Sequence, residues 1–188
     1  KGYERFHSSK MLRFAGTYLE FIGNCQTQQG SFHNLLDGNR EFIDDVGSED
    51  SFGRAVHALG SAVNSQLPDA YRLNARKILE KALSQENIVM SPRAQADALI
   101  GVINSESYLD GNAVRIKDHI VDSLVSKYGE VSDGQWNWFE KYLTYGNSRI
   151  PEALFEAHKS NDAAESPVAK IAKESMEYLT KTIIIGGK

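Results

Sequence analysis

Residues 48–63 have the sequence SEDSFGRAVHALGSAV, and this stretch decides the fold. Ser48 followed by two acidic residues is typical of a helix N-terminus, where a hydroxyl accepts from a free amide and negative charge is stabilising. Apolar residues then recur at spacings of three and four, which predicts one buried helix face: Phe52, Ala55, Val56, Leu59 and Val63. Gly53 and Gly60 lie seven apart and allow close approach of a neighbouring helix. We therefore predict an inner helix of a helical domain.

The same helix carries a polar stripe on a second face. Asp50, Arg54, His57 and Ser61 follow one another at steps of four, three and four. Such residues lie on one side of a helix. On a solvated surface the stripe would contain only an ordinary ion pair between Asp50 and Arg54. On an inner helix it would line a cavity.

Helical periodicity predicts six further helices, for seven in all. The first precedes the quoted stretch and runs over 11–25, two begin at Pro68 and Pro92, and three carry the apolar residues of 113–124, 150–157 and 168–179. All four prolines stand at predicted helix starts, where a missing N–H does no harm. Ser91 and Ser166 precede prolines and are predicted N-caps. The only strand candidate is 182–185, so the fold class is all-α.

The predicted helices recur in pairs about every 50 residues, which indicates an α/α hairpin repeat. Similar segments, 30–32 and 134–136, precede alternate helices of this repeat. In stacked hairpins alternate helices point the same way. We therefore expect the connections 30–50 and 133–147 to lie on one rim and share a concave site.

Composition restricts the functional classes. A chain of 188 residues is the size of one domain, 1–188. A net charge of −4 with scattered basic residues disfavours nucleic-acid binding, and no apolar run is long enough for a membrane span. One cysteine, Cys25, excludes an internal disulfide, and the five histidines lack metal-site spacing. We expect no metal and no cofactor, and without a signal peptide we expect a cytoplasmic protein.

The connection 133–147 contains both tryptophans of the chain. Aromatic rings beside amides and carboxylates suit sugars, whose C–H faces stack on rings while their hydroxyls need polar partners. The alternative, which we favour for any single aromatic residue, is a hydrophobic plug between hairpins. Glu140 stands among these rings, and burial there would raise its pKa toward that of a general acid.

The candidate residues fall into two groups. The acids predicted to be catalytic are Glu49, Asp50 and Glu140. The residues predicted to bind a saccharide are Arg54, His57, Trp136, Trp138, Tyr145, Asn147 and Arg149. The alternative for Glu49 and Asp50 is that they only cap a helix, together with Ser48.

Five motifs suggest a family: YLEFI at 18–22, GSEDSFGRA at 47–55, and WNWFE, LTYGN and IPEAL between 136 and 154. They resemble the helical toroid domain of bacterial proteins described as glycosyltransferases, within the wider group of (α/α) six-hairpin carbohydrate-active proteins. This resemblance implies a partial (α/α)6-type toroid, because a closed ring at this period needs about 300 residues. We expect about three and a half hairpins, belonging to a longer chain. A short resemblance of 26–32 to terpene cyclase repeats is opposed by the lack of a DDxxD run.

The resemblance implies a carbohydrate-active domain that binds a saccharide, of a glycosyltransferase or a glycosidase-like protein. The alternative is a non-catalytic helical scaffold or glycan-binding module attached to an enzyme. An acid pair about 5 to 10 Å apart across a cleft would favour hydrolysis, whereas acids engaged in caps and ion pairs would favour the alternative. We also expect an exposed apolar surface on the C-terminal flank, covered by a dimer partner or a neighbouring domain.

Overall fold

A computed structural model describes residues 2–84, 91–159 and 166–185. Within these ranges there are eight α-helices and no β-strand, so the all-α prediction is confirmed. The helices are α1 (Gly2–Phe6), α2 (Ser9–Cys25), α3 (Glu49–Val63), α4 (Asp69–Leu83), α5 (Pro92–Ser105), α6 (Asn112–Val131), α7 (Arg149–Lys159) and α8 (Pro167–Leu179). A 3₁₀ turn (Glu106–Tyr108) follows α5, and a π-helical turn (Thr180–Ile185) follows α8.

The seven predicted helices correspond to α2–α8, and α1 was not predicted. At five residues α1 is too short to show a periodic apolar stripe. The strand alternative for 182–185 is wrong. The backbone amide of Thr180 donates to the carbonyls of Met176 and Glu177, so the chain continues the helical winding of α8.

Prolines and capping serines set the helix starts largely as expected. Pro92 and Pro167 are the first residues of α5 and α8. The hydroxyl oxygens of Ser48 and Ser166 accept from backbone amides three residues ahead, at 3.2 and 3.1 Å. Ser91 occupies the N-cap position of α5 as predicted, and its backbone carbonyl accepts from the amide of Gln95 at 2.9 Å. The prediction fails only for its hydroxyl. No hydroxyl cap bond forms there within the described part of the chain.

Helix α5 occupies the centre of the fold. It packs against α3 on one side and against α7 on the other, while α4, α6 and α8 pack on α3, α5 and α7 respectively. Helix α2 packs on α4. Residues 94–102 of α5 are all buried because neighbours surround this helix. Its Leu99 and Val102 join one core with apolar residues of the other helices, including Val56, Leu59, Leu79, Ile120, Leu124 and Leu154.

Helices α3 and α5 approach each other at glycines, as predicted from Gly53 and Gly60. A Cβ atom added to Gly60 would lie 2.8 Å from the Cα of Gly101 on α5. One added to Gly53 would lie 2.8 Å from the Cα of Ala94. Both distances are far below van der Waals contact, so only glycine fits at these two positions of α3. The two backbones therefore touch along the length of α3.

The connection between α2 and α3 consists mainly of two consecutive hairpins of the same design. Antiparallel bridges pair Gln26 with Phe32 and Leu36 with Phe42, ten residues further on. Each hairpin turns through a residue with positive φ, Gly30 at 98° and Arg40 at 67°. Corresponding backbone hydrogen bonds repeat at the same ten-residue offset. This long connection is thus ordered by its own backbone.

Exposed apolar side chains concentrate on the N-terminal side of the fold. Phe14, Tyr18 and Phe21 share one face of α2, and further exposed residues lie in the hairpins and just after them: Leu35, Leu36, Ile43 and Val46. We had expected such a surface on the C-terminal flank. On that flank α8 packs on α7, and Ile183 after it is large, apolar and exposed. In the same ranges no helix has the length and apolar character needed to cross a membrane.

Candidate functional site

A cleft of about 410 Å³ lies where α3 and α5 meet the start of α7. The polar stripe of α3 lines it along its length, so the prediction that the stripe faces a cavity is confirmed. The second connection contributes the ring of Tyr145, and the first residue of α7 contributes Arg149. Helix α5 adds Arg93 and Asp97, which sequence reasoning missed. The signal for Asp97 was available, because it is the one charged residue of the segment 94–102.

Asp97 connects two of the predicted binding residues. Its Oδ1 lies 3.1 Å from Nδ1 of His57 and 3.1 Å from Nε of Arg149, and its side chain is only 12% exposed. A carboxylate at Nδ1 orients the imidazole and favours the tautomer that carries its proton there. In the neutral ring Nε2 then remains as a hydrogen-bond acceptor or base. The Asp97–His57 pair is therefore the arrangement in this cleft that is suited to proton transfer.

Tyr145 presents an aromatic face to the same cleft. The residue is 56% exposed, and Gly146 follows it with a φ of +61° in the turn that leads to α7. The guanidinium carbons of Arg54 and Arg93 lie 5.9 and 5.4 Å from the ring centroid. Such cation–π contacts hold the ring in place while leaving much of it accessible. The result is a flat apolar surface bordered by hydrogen-bond donors.

Glu140 lies beside the cleft and does not line it. Both of its carboxylate oxygens accept from Arg93 on α5, at 2.5 and 3.1 Å, and both side chains are nearly buried. A bidentate pair of this kind is strong and geometrically specific. Glu140 therefore attaches the connection between α6 and α7 to α5.

The other two predicted acids are also engaged. Glu49 accepts from the backbone amide of Ser91 at 2.8 Å, which joins the first turn of α3 to the start of α5. Asp50 pairs with Arg54 on the next turn, at 2.9 Å. Structural contacts thus occupy Glu49, Asp50 and Glu140 alike. This pattern is the one we associated with a non-catalytic module.

The structure corrects the expectation that both tryptophans form an accessible stacking surface. Trp138 is wholly buried, packs edge-to-face on Phe139, and finds no partner for its Nε1 among the described residues. Trp136 is partly buried against Tyr178 and donates from Nε1 to the carbonyl of Glu140 at 2.6 Å. Large rings gain more by burial than by exposure, so the plug alternative holds for both.

Asn147 is likewise buried and closes a turn. Its Nδ2 donates to the carbonyl of Thr144 at 3.1 Å, and its Oδ1 accepts from the amide of Thr144 at 3.3 Å. The side chain therefore fixes the turn that presents Tyr145. It acts on the cleft through that neighbour.

The cleft joins the two predicted connections only at their ends. Asp50 closes the first and Tyr145 stands near the end of the second. Elsewhere each connection is stabilised by an aspartate that accepts hydrogen bonds from backbone amides of the same connection, Asp44 in the first and Asp133 in the second. Despite an opposing contribution from desolvation, backbone amides of Asn34 and Leu35 together with His33 hold the pKa of Asp44 below its ordinary value. Amides of Trp136 and Gln135 likewise lower the pKa of Asp133.

Neither the cleft nor any other part of 2–84, 91–159 and 166–185 brings together three histidine, cysteine or acidic side chains that could hold a metal ion. Comparison with models of known protein families gave no match, and neither did comparison with curated proteins or with solved structures. The function is therefore argued from the chemistry of the cleft.

Proposed function

We propose that this chain is a saccharide-binding domain of a carbohydrate-active protein and that the cleft between α3, α5 and α7 is its binding site. The observation that carries the proposal is the exposed ring of Tyr145, which has Arg54 and Arg93 over it and lines the same cleft as Asp97 and His57. A sugar needs both parts of this arrangement. Its C–H face stacks on an aromatic ring, and its hydroxyls require donors and acceptors fixed around that ring.

Saccharide binding is better supported than a hydrolysis reaction in which the three predicted acids transfer the proton. Glu49, Asp50 and Glu140 each hold a structural partner, and a proton-transferring pair would have to release one of those partners first. The proposed function is accordingly that of a glycan-binding module. The scaffold alternative for an attached enzyme is compatible with the same contacts.

A second candidate function, catalysis on the bound sugar, is favoured by one specific observation. Asp97 holds His57 by its Nδ1 at 3.1 Å at the base of the cleft, which leaves Nε2 as a base in the neutral ring. In this candidate His57 takes a proton from a sugar hydroxyl or from water. Arg149 contacts the same carboxylate oxygen at 3.1 Å and holds Asp97 in place.

The finer architecture belongs to the same proposal. The contacts among α3, α5 and α7, each with its following helix packed on it, support a partial (α/α)6-type toroid with these three helices in the inner layer. The motif resemblance to toroid domains of glycosyltransferase-like proteins agrees with it. A dimer partner or neighbouring domain, where present, would cover Phe21 and the exposed apolar residues of the hairpins, Leu35, Leu36 and Ile43.

Calorimetric titration with a panel of neutral and acidic monosaccharides and disaccharides tests the proposal. Tyr145→Ala should weaken binding about tenfold, because stacking on one ring contributes about 1.5 kcal/mol. Tyr142→Ala is a matched control, since Tyr142 belongs to the same connection, is 59% exposed and lies outside the cleft lining. Absence of binding across the panel, or equal losses in the two variants, would overturn the proposal.

A further inference from the structure

A second groove shares two lining residues of α3 with the cleft. This groove, of about 350 Å³, is bounded by α1, α2 and α3 and begins at Ala58 and Ser61, the residues of α3 that also line the cleft. Ala58, next to His57 in the sequence, is exposed and has only a methyl side chain. The two cavities thus adjoin at Ala58 and Ser61 of α3.

The second groove differs from the cleft in its chemistry. Its surface is mostly apolar and is formed chiefly by Met11, Phe14, Ala15, Tyr18, Ala62 and Leu67. Phe14 and Tyr18 are 40% and 66% exposed, which is costly for an apolar wall that faces water. The charged side chains of the cleft, by contrast, stand on the other side of Ala58. The lining therefore changes from mostly charged in the cleft to mostly apolar in the groove, where Glu4 of α1 is the charged residue.

We infer that the ligand of this protein is an amphiphilic glycoside, with its sugar in the cleft and its apolar chain or aglycone in the groove between α1, α2 and α3. This inference rests on the proposed function, because it assigns the sugar to the Tyr145 cleft. A molecule with one polar and one apolar end is complementary to both cavities at once, and burial of its apolar end would also cover Phe14 and Tyr18.

A longer oligosaccharide is the competing occupant of the groove. Its rings could stack on Phe14 and Tyr18, but its hydroxyls would then face a wall made mostly of carbon. Hydroxyls that lose water without gaining a partner weaken binding. The apolar lining therefore favours a hydrocarbon chain over additional sugar units.

Calorimetry with methyl, butyl, hexyl and octyl glucoside below their micelle concentrations tests the inference on the whole chain. Affinity should rise with chain length by up to about fourfold for each methylene buried. Methyl-¹³C-labelled methionine gives a second readout, because Met11 lines the groove whereas Met176 lies on α8. The Met11 resonance should shift with octyl glucoside more than with methyl glucoside, and the Met176 resonance should not.

Two variants locate the chain in the groove. Tyr18→Asn should remove most of the increase in affinity from methyl to octyl glucoside. Ala58→Gln should do the same, because it places a longer side chain where the cleft and the groove adjoin. Phe21→Ala is the control, since Phe21 is exposed on the same helix but does not line the groove. In this variant the increase in affinity with the length of the alkyl chain should equal that of the unmodified protein.

The outcomes separate this inference from the proposed function. Affinity that rises with added sugar units and not with alkyl length overturns the inference in favour of an oligosaccharide, and leaves the proposed function standing. An octyl polyoxyethylene ether that binds as tightly as octyl glucoside, with the same loss in Tyr18→Asn, overturns both the proposed function and the glycoside identity of the ligand. Equal affinity for all four glucosides overturns the inference alone.

Discussion

Arg93 and Glu140 form a bidentate ion pair between α5 and the connection that carries Tyr145, with N–O distances of 2.5 and 3.1 Å. The two residues lie 47 positions apart in the sequence. Their side chains are 13% and 14% exposed, so the pair is largely removed from water. The position of the connection over α5 therefore depends on two charges that would be costly to separate.

Glu140→Gln is expected to lower the free energy of unfolding by about 3 kcal/mol, because it leaves the Arg93 charge without its partner in a largely buried place. Urea unfolding measures the change. The exposed pair of Arg76 and Glu80 on α4 provides the control, since Glu80→Gln should cost only about 0.5 kcal/mol. Similar losses in the two variants would mean that the Arg93–Glu140 pair is as well solvated as a surface pair.

Gly60→Ala should destabilise the protein by about 2 kcal/mol or more, because its methyl group would meet the backbone of Gly101 on α5. Gly129→Ala is the opposite case. Gly129 is exposed on α6 and no neighbouring atom lies within 4 Å of the site of its Cβ among the described residues, so alanine there should stabilise by about 0.5 to 1 kcal/mol. Thermal unfolding compares the two variants. A change in stability of the same sign in both would contradict the close contact of α3 and α5.

Trp138→Ala should cost about 3 to 5 kcal/mol of unfolding free energy, because it empties a fully buried site of the core. Tyr145→Ala should change stability by no more than about 0.5 kcal/mol, since that ring is more than half exposed. Chemical unfolding curves give both numbers. A Trp138 variant as stable as the Tyr145 variant would place the indole ring at the surface.

Asp97→Asn separates binding from catalysis. The amide can still hydrogen-bond to His57 or Arg149, but it carries no charge to orient both of them. If the cleft is catalytic, turnover of a bound glycoside should fall at least tenfold while the Kd changes less. A purely binding cleft should show no turnover in either form, with a change in Kd alone. His57→Gln should follow Asp97→Asn in the catalytic case.

Acid should loosen the two connections that Asp44 and Asp133 hold. Both carboxyl groups have a pKa below the ordinary value in the folded protein, so their stabilisation is complete above about pH 4 and is lost as the pH falls through the folded pKa. Urea unfolding between pH 6 and pH 3 should show the loss. In the double variant Asp44→Asn, Asp133→Asn, stability at pH 6 should be lower and its fall toward pH 3 shallower. Parallel curves would contradict this linkage.

The helices were predictable because their causes are local. Apolar spacing and prolines in the first turn located α2–α8, and the spacing of Gly53 and Gly60 predicted the close neighbour of α3. The polar stripe of α3 was visible for the same reason. Helix α1 was not predicted, because five residues are too few to show a helical apolar periodicity.

Much of the candidate site depends on tertiary contacts, which the local pattern does not encode. Arg93 and Asp97 each look like single charges on an apolar helix, and they enter the cleft only because α5 lies between α3 and α7. Trp136 and Trp138 show the opposite error, because they were predicted to line the site and the structure buries them. Their sequence surroundings are polar, yet both rings pack inward because the connection folds back over α5 and α8.

The glycine contact between α3 and α5 makes one wall of the cleft rigid. Side-chain packing can adjust by changing rotamers, but two backbones in contact have no rotamers to change. The spacing between Asp50, His57 and Asp97 is thereby set by main-chain geometry. Adjustment to one ligand over another is then left to the exposed side chains of the cleft, Tyr145 before α7 and Arg54 on α3.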